Sequence, residues 1–598
     1  MHLSRIRIEN FRNFRALDVA LAGNLVVVGE NRVGKSNLLY ALRLLLDPSL
    51  SDAARQLGLS DFWDGLGALS REHKITILVE IRDFESDQDV LAVLTDHRLN
   101  DDPNTVRLTY EFRPRADLKG EPAAADDYEF VCFGGESERK WFGHDLRRRI
   151  TMDLLPALRD AEGDLSVWRR SPLRPLIEQA FSGVSRDDME DISKAIEAAT
   201  AGITEFPEVQ ALGQSVAALF AEMSGPRQDI KPRLGLAPSD AARLYRNIRL
   251  LIDDGARSIA DASLGSANLV FLTLKALELK RLIEENRRDH TILAIEEPEA
   301  HLHPHLQRSV YRHLFENAGG DAADRPLSVM LTTHSPHIAS VAPLRSILLL
   351  KEVPAAGTVG CSTASLPLTV EEVDDLTRYL DVTRAEMLFA RGVILVEGDA
   401  ERFLVPEFAK RLGKPLDHLG ITVCSVAGTN FQPYAKLLTA LGIPFAILTD
   451  WDPRAAKTPL GRMRAIRLVD VIEMTRTGES QTPLISELTA LTDDEKLIGR
   501  LDQFGVFTNS DTLEVDLFES EFASAVIATL REGGFGPERS TWIDSWERNK
   551  KTFDAEKFLA MVDDIGKGRF AQRLVTRIGE LEPPEYIKLA IEFVADRV

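Results

Sequence analysis

The chain has 598 residues, carries 72 Lys+Arg against 93 Asp+Glu for a formal net charge of −21, and is 44% hydrophobic and 28% charged. At roughly 100–200 residues per domain this length predicts about three to five domains or one large body with inserts, and its apolar content excludes a mainly disordered chain. No run approaches the ~18 consecutive apolar residues of a membrane span, the start Met1-His-Leu-Ser-Arg-Ile-Arg-Ile-Glu-Asn10 has no signal-peptide core, and three scattered cysteines, Cys132, Cys361 and Cys424, fit a reducing, cytoplasmic setting without disulfides or a zinc site.

Along the chain, Ile6 and Ile8 alternate with Arg5 and Arg7, and Leu17, Val19 and Leu21 alternate again, which predicts two half-buried strands. Residues 25–28 predict a buried strand, 36–46 a helix, 75–81 and 106–112 further strands, and 119–127 an exposed loop. From 171 to 250 the composition turns Ala-rich, with candidate helices over 186–200 and 207–223. That segment is too short and too poor in heptads to be a long coiled-coil arm. A Gly/Ser/Thr/Pro-rich joint at 354–367 predicts a domain boundary, and a new strand–helix–strand series begins after Arg391.

Gly29-Glu-Asn-Arg-Val-Gly34-Lys35-Ser36 fits the phosphate-loop pattern G-x-x-x-x-G-K-[ST] between a strand and a helix, so backbone N–H groups and the helix N-terminus can wrap phosphates. Lys35 would reach the outer phosphates and Ser36 would ligate Mg²⁺; Gly29, Asn31, Gly34, Lys35, Ser36 and Asn37 are the candidate nucleotide contacts. The apolar run 291–295 delivers Glu296-Glu297-Pro298-Glu299, with Glu296 assigned to the metal and Glu297 to the attacking water. A second apolar run ends in His334-Ser335-Pro336, where His334 could meet the γ-phosphate. His301-x-His303-x-His305 lacks the spacing of a zinc template and reads as a solvated loop.

These motifs resemble the ABC-type ATPases. Ser263-Leu-Gly265-Ser266-Ala-Asn268 stands where that class carries its signature, Glu296-Glu297-Pro298 looks like its second acidic motif, and His334 looks like its switch histidine. The opening Ile6-Arg-Ile8-Glu-Asn10-Phe11-Arg12-Asn13-Phe14 resembles the SMC/RecF branch. The resemblance implies a head-to-head homodimer, or a higher homo-oligomer, in which Ser263, Gly265 and Ser266 of one copy complete the ATP site of the other. The chain departs from that pattern in Glu296, where aspartate is usual, and in its loosely matched signature.

A second site is written in the last third. The short apolar strand 392–396 ends in Glu397-Gly398-Asp399-Ala-Glu401, and the strand 445–449 ends in Asp450-Trp451-Asp452. Strand residues i and i+2 share a face, so Asp450 and Asp452 can converge on one cation, with Glu397 and Glu401 meeting them at the carboxyl edge of a parallel sheet. Carboxylates without nearby cysteine select hard cations such as Mg²⁺ or Mn²⁺, and two such ions can cleave a phosphodiester. Together these segments resemble the TOPRIM domain, and the whole order resembles the OLD (overcoming lysogenization defect) family of ATP-dependent nucleases and the nuclease subunit of Gabija-type anti-phage systems. By that likeness, Thr512-Leu-Glu514-Val-Asp516-Leu517 is a later acidic strand whose Glu514 and Asp516 complete a second metal site, and Lys567 in Gly566-Lys567-Gly568-Arg569 stabilises transition-state charge.

The expected fold is α/β: an ABC-type (SMC/RecF-like) ATPase head over residues 1–170 and 251–355, a helical insert at 171–250 that serves dimerisation, and a C-terminal TOPRIM α/β domain over 390–598. The expected function is an ATP-regulated, divalent-metal-dependent DNA endonuclease, in DNA processing or anti-phage defence. A TOPRIM ribonuclease acting on RNA and a non-cleaving ATP-driven DNA clamp are the competing readings. The acidic net charge argues weakly against passive DNA coating, and DNA contacts are sought in local basic clusters: Arg147-Arg-Arg149, Arg169-Arg170, Lys550-Lys551 beside Trp542 and Trp546, and Lys567 with Arg569. A helicase partner and the direction of ATP control are not legible.

Overall fold

The computed structural model describes the chain except for residues 86–87, 158–159, 225–231, 233–244, 318–325, 454–457 and 580. It forms two compact units, one of Met1–Ala157, Arg288–Glu299 and His303–Val598, the other of Leu158–Arg287 with Ala300–Leu302. The strands in chain order are β1 (His2–Phe11), β2 (Phe14–Ala20), β3 (Leu25–Gly29), β4 (Ile75–Arg82), β5 (Val106–Pro114), β6 (Tyr128–Gly134), β7 (Ile150–Leu155), β8 (Leu251–Ile252), β9 (Arg257–Ser258), β10 (His290–Glu296), β11 (Leu327–Thr332), β12 (Ile347–Val353), β13 (Gly357–Ser362), β14 (Gly392–Val396), β15 (Ile421–Ser425), β16 (Phe445–Thr449) and β17 (Val506–Thr508).

The first unit contains an 11-stranded sheet in the order β6-β5-β4-β1-β2-β13-β12-β3-β11-β10-β7. Neighbours from β6 to β12 are antiparallel, and those from β12 to β7 are parallel. The sequence explains the division. β1 alternates buried and open positions, whereas β3 is buried at every residue and β10 at all but its last, as parallel strands covered on both faces must be. The helix Lys35–Leu46 buries Leu38, Leu39, Leu42, Leu45 and Leu46 in the core that this sheet shares. Parallel pairing of β3, β11 and β10 then brings their carboxyl ends side by side.

The segment 354–367, expected as a joint, differs: Gly357–Ser362 is β13, paired with β12 from Leu348↔Ser362 to Val353↔Gly357 and touching β2 at Phe14. Its small residues are a packing requirement. A Cβ on Gly360 would meet Leu17 Cδ1 at 2.6 Å, so the composition that reads as a loop is what lets neighbouring leucines close over this strand.

A second sheet of the same unit, β15-β14-β16-β17, is parallel throughout. β14 is buried along its whole length. The helices Asp399–Arg411, Lys567–Val575 and Glu585–Ala595 add Leu404, Phe408, Phe570, Leu574, Ile587 and Ile591 to its core. Phe518 stacks on Phe553 with ring centroids 4.0 Å apart, and Trp546 and Phe558 pack edge-on or tilted around them. Trp546 is therefore core, not a nucleic-acid platform, and the Trp542 ring lies under Lys557.

The second unit is mainly helical, with Arg186–Ala201 and Pro207–Ser224 covering the two stretches expected as helices, and it also contains a β8–β9 hairpin. Its core includes Ala161, Leu165, Leu176, Ile259, Ala267 and Leu274. Among the described residues no helix is long and apolar enough to cross a membrane.

Candidate functional site

Two sites emerge from the two sheets. At the first, β3 stops at Gly29 and the helix begins at Lys35, so the intervening loop closes over a helix N-terminus. Gly34 sits at φ +95°, and a Cβ there would press on Asn13 at 3.1 Å; glycine is the residue this turn tolerates. Lys35 is 7% exposed, and its Nζ donates to the carbonyls of Gly29 at 2.9 Å and Glu30 at 2.8 Å. Burial pushes its pKa down, while Glu297 and Glu299 pull the other way. Asn31 and Ser36 are exposed. Asn37 instead ties the helix to the β1–β2 turn, accepting from Arg12 Nη1 at 2.8 Å and donating to Asn13.

Glu296 is the last residue of β10, and Glu297 follows with φ +41°. The His334 ring, beyond β11, lies with Nε2 3.8 Å from Glu297 Oε1. Burial and then the Lys35 cation push the His334 pKa down, against the pull of Glu297 and Glu299. Glu299 was not singled out from sequence. It accepts from Thr333 Oγ1 at 2.8 Å and from the His334 N–H at 2.6 Å, so it fixes the turn that aims the histidine. His303 and His305 are exposed and stack on each other, and His301 is also exposed.

In the second unit, the signature segment opens the helix Leu264–Glu284. Ser263 is the N-cap, accepting from the Ser266 N–H at 3.3 Å. A Cβ on Gly265 would meet the His301 carbonyl oxygen at 2.4 Å.

The second site lies at the carboxyl edge of the parallel β15-β14-β16-β17 sheet. Glu397 follows β14, Glu401 sits in the first turn of the helix Asp399–Arg411, and Asp450 follows β16. Glu401 is 9% exposed, and its Oε2 accepts from the Gly398 N–H at 3.2 Å. Glu514 is 2% exposed, its Oε1 stands 3.6 Å from Lys567 Nζ, and its Oε2 is buried without a hydrogen-bond partner. Burial, and then Glu397 and Glu401, push Asp450 up to about 8. Burial, and then Glu514 and Glu397, push Glu401 up to about 7. Lys567 is half exposed; burial works against its charge, but Glu514 and Asp450 hold its pKa above the usual range.

Glu397, Glu401, Asp450, Glu514 and Lys567 thus form one interacting group. Asp452 is attached less directly. β16 ends at Thr449 and Asp452 turns into the left-handed region at φ +50°, so the strand period does not carry it onto the face of Asp450. Arg464 bridges it to the group, with Nη2 2.9 Å from Asp452 Oδ2 and 3.2 Å from Glu397 Oε1.

The expected acidic strand at 512–517 is a correction: Leu513–Glu519 is a helix. Leu513 and Leu517, and Glu514 and Phe518, recur at the i,i+4 helical spacing on its buried side. Residues i and i+2 of a helix point about 200° apart. Glu514 therefore enters the acidic group, while Asp516 turns to Ser510, accepting from its N–H at 3.1 Å and its hydroxyl at 2.6 Å.

Among the described residues, no three His, Cys, Asp or Glu side chains stand in a finished ligand array. The donor set nevertheless fits a hard cation: mutually repelling carboxylates and an orphaned buried oxygen on Glu514 are what a divalent ion would neutralise. Of the basic clusters, Arg147 is buried with Nε on the Leu45 carbonyl at 2.8 Å and Arg149 pairs with Asp289, so both are structural. Lys550, Lys551 and Arg569 are exposed.

A phosphate-loop sheet and a parallel sheet edged with acids, in one chain, define an ATPase joined to a TOPRIM domain. Residues 1–145 and 181–339 match the AAA ATPase domain model, and residues 388–452 match the TOPRIM domain of overcoming-lysogenization-defect-like proteins. The chain belongs to the AAA ATPase domain family, whose model matches more than half of it, and it carries a TOPRIM domain of the OLD-like kind. It is 26% identical over 484 residues to the uncharacterized protein YbjD of Escherichia coli K12, covering 76% of this chain and 81% of that one. It is 24% identical over 489 residues to the endonuclease GajA of Bacillus cereus VD045, covering 77% of each chain. It is 24% identical over 478 residues to the OLD nuclease of Thermus scotoductus, covering 75% and 82%.

Proposed function

We propose that the chain is an ATP-regulated DNA endonuclease that uses divalent metal, Mg²⁺ or Mn²⁺, at the C-terminal sheet edge. The observation that carries this reading is the group Glu397, Glu401, Asp450 and Glu514 facing Lys567, in which Asp450 and Glu401 are pushed up to about 8 and about 7 by burial and by one another. Such crowding weakens an apoprotein and favours binding a cation. Glu397, Glu401, Asp450 and Glu514 would hold the metal, with Asp452 joining through the Arg464 bridge. Bound divalent ions supply an activated water and neutralise the departing oxygen of a phosphodiester. Lys567 stands where an ammonium can offset charge building on the scissile phosphate. Lys550, Lys551 and Arg569 are the exposed cations offered to the DNA backbone, so binding weakens as salt rises.

Lys35, Ser36, Glu296, Glu297 and His334 would bind ATP with its own Mg²⁺, and Ser263, Gly265 and Ser266 of a second copy would close that site in a homodimer or higher homo-oligomer. The GajA and OLD relatives are named as nucleases, which supports the same chemistry here; the setting proposed for it is DNA processing or anti-phage defence in the cytoplasm. The test is plasmid cleavage. Wild type with Mg²⁺ or Mn²⁺ nicks or linearises DNA, and Asp450→Ala loses cutting while still binding ATP. Cleavage by Asp450→Ala at the wild-type rate would refute the site; cutting of RNA but not DNA would move the substrate class.

A further inference from the structure

The acids of the C-terminal site are held one oxygen at a time. Glu397 Oε1 accepts from Thr449 Oγ1 at 2.6 Å and from the Asp450 N–H at 3.0 Å. Asp450 Oδ1 accepts from Asn509 Nδ2 at 2.5 Å and from the Leu513 N–H at 3.2 Å. Among the described residues no hydrogen bond reaches Asp450 Oδ2, so the scaffold occupies one side of this carboxylate and leaves the other for a ligand.

Asn509 does more than touch the carboxylate. Its Oδ1 accepts from the Trp451 N–H at 2.8 Å, so one planar amide grips both the Asp450 side chain and the backbone just after it. It can do so because β17 runs parallel to β16 with Thr508 opposite Thr449, which puts Asn509 level with Asp450 where both chains leave the sheet. Asn509 is 4% exposed, so the amide is enclosed by the fold rather than by solvent. A neutral donor is the group this place requires: it orients the carboxylate without adding a charge that would compete with a cation, and an amide keeps its two ends distinct at every pH.

We infer that Asn509 is the positioning residue of the metal site, turning Asp450 so that Oδ2 faces Glu397, Glu401 and Glu514. The inference rests on the metal-site reading proposed above. Groups that orient a ligand carboxylate commonly change metal affinity by about 10–100-fold when removed.

The experiment measures Mn²⁺ binding to the full-length protein directly, from the electron paramagnetic resonance signal of free Mn²⁺, beside the metal dependence of plasmid cutting. The variants are Asn509→Leu, Asn509→Ser and Asp450→Ala. Expected is a roughly tenfold or greater rise in the Mn²⁺ half-saturation of Asn509→Leu, a smaller rise in Asn509→Ser, and recovery of cutting at high Mn²⁺ in the serine variant. A merely structural asparagine lowers the melting temperature and leaves the half-saturation of the folded protein unmoved. Half-saturation within twofold of wild type in Asn509→Ser overturns the inference even if Asn509→Leu does not fold. If Asp450→Ala also binds Mn²⁺ as wild type does, the metal-site reading itself has failed; if Asp450→Ala alone loses binding, only the role of Asn509 has.

Discussion

The guanidinium of Arg391, the residue before β14, forks onto the carboxylate of Glu30 inside the phosphate loop, with Nε 2.5 Å from Oε1 and Nη2 3.0 Å from Oε2. The same loop supplies the Glu30 carbonyl that Lys35 grips at 2.8 Å. A residue of the phosphate loop is therefore joined to the start of β14, the strand that Glu397 follows. Both side chains are about half exposed, so the pair contributes at most about 1 kcal/mol to stability. Arg391→Ala is expected to leave the melting temperature nearly unchanged while altering the effect of ATP on cutting. An ATP response identical to wild type in this variant would dismiss the connection.

Lys35→Ala removes the ammonium that satisfies two loop carbonyls and would face the phosphates. The expected result is loss of nucleotide binding, read with a fluorescent ATP analogue, and a stability cost of about 1–3 kcal/mol from the carbonyls left unpaired. Metal-dependent cutting in the absence of ATP should persist. Simultaneous loss of Mn²⁺ binding would mean that the two sites are not separable.

Asp450 makes the metal-free protein pH-sensitive in a defined direction. Its carboxyl is raised from 3.8 in the unfolded chain to about 8 when folded. Between those values the folded state holds a proton that the unfolded chain has released, so this contribution to stability is complete below about pH 4 and is lost as pH rises through about 8. Glu401, raised to about 7, acts in the same sense. Thermal melts without metal should flatten between pH 4 and 8 in Asp450→Asn. Mn²⁺ binding should tighten toward pH 8 and release protons, measurable by calorimetry in two buffers of different ionisation heat; binding that weakens with rising pH would contradict this.

Glu514 and Asp516, two residues apart, should behave differently. Glu514→Gln should reduce cutting by at least a hundredfold and weaken Mn²⁺ binding, since it removes a buried acid facing Lys567. Asp516→Ala should cost about 1–3 kcal/mol through its lost bonds to Ser510 and leave the Mn²⁺ half-saturation near wild type. Equal loss of metal binding in the two variants would restore the shared-face reading.

What the sequence reveals follows from how local each signal is. The strands ending at Gly29, Val396 and Thr449 are short apolar runs followed by polar residues, and the structure places each within a residue or so of its expected end. The Leu513–Glu519 helix was misread because alternating acids look like a strand when the apolar i,i+4 spacing beneath them is ignored. β13 differs from the expected joint because the glycine that makes room for Leu17, Gly360, sits among residues that look like a linker. Glu299, Arg464 and Asn509 carried weaker marks. Asn509 had one usable clue, a position just after the apolar Val506–Thr508 strand that parallels that of Asp450; Arg464 lies in mid-helix, and its partners are known only once the chain is folded.

The distance along the chain between Asp450 and its supports imposes an order on biosynthesis. The last strand of the large sheet is complete at Ser362, whereas Asn509 comes much later. Because N-terminal segments fold first as they leave the ribosome, a growing polypeptide can acquire its phosphate loop well before Asp450 is locked in place. The acid that the metal site must aim is then among the last parts to be secured, so the C-terminal site is completed after the phosphate loop.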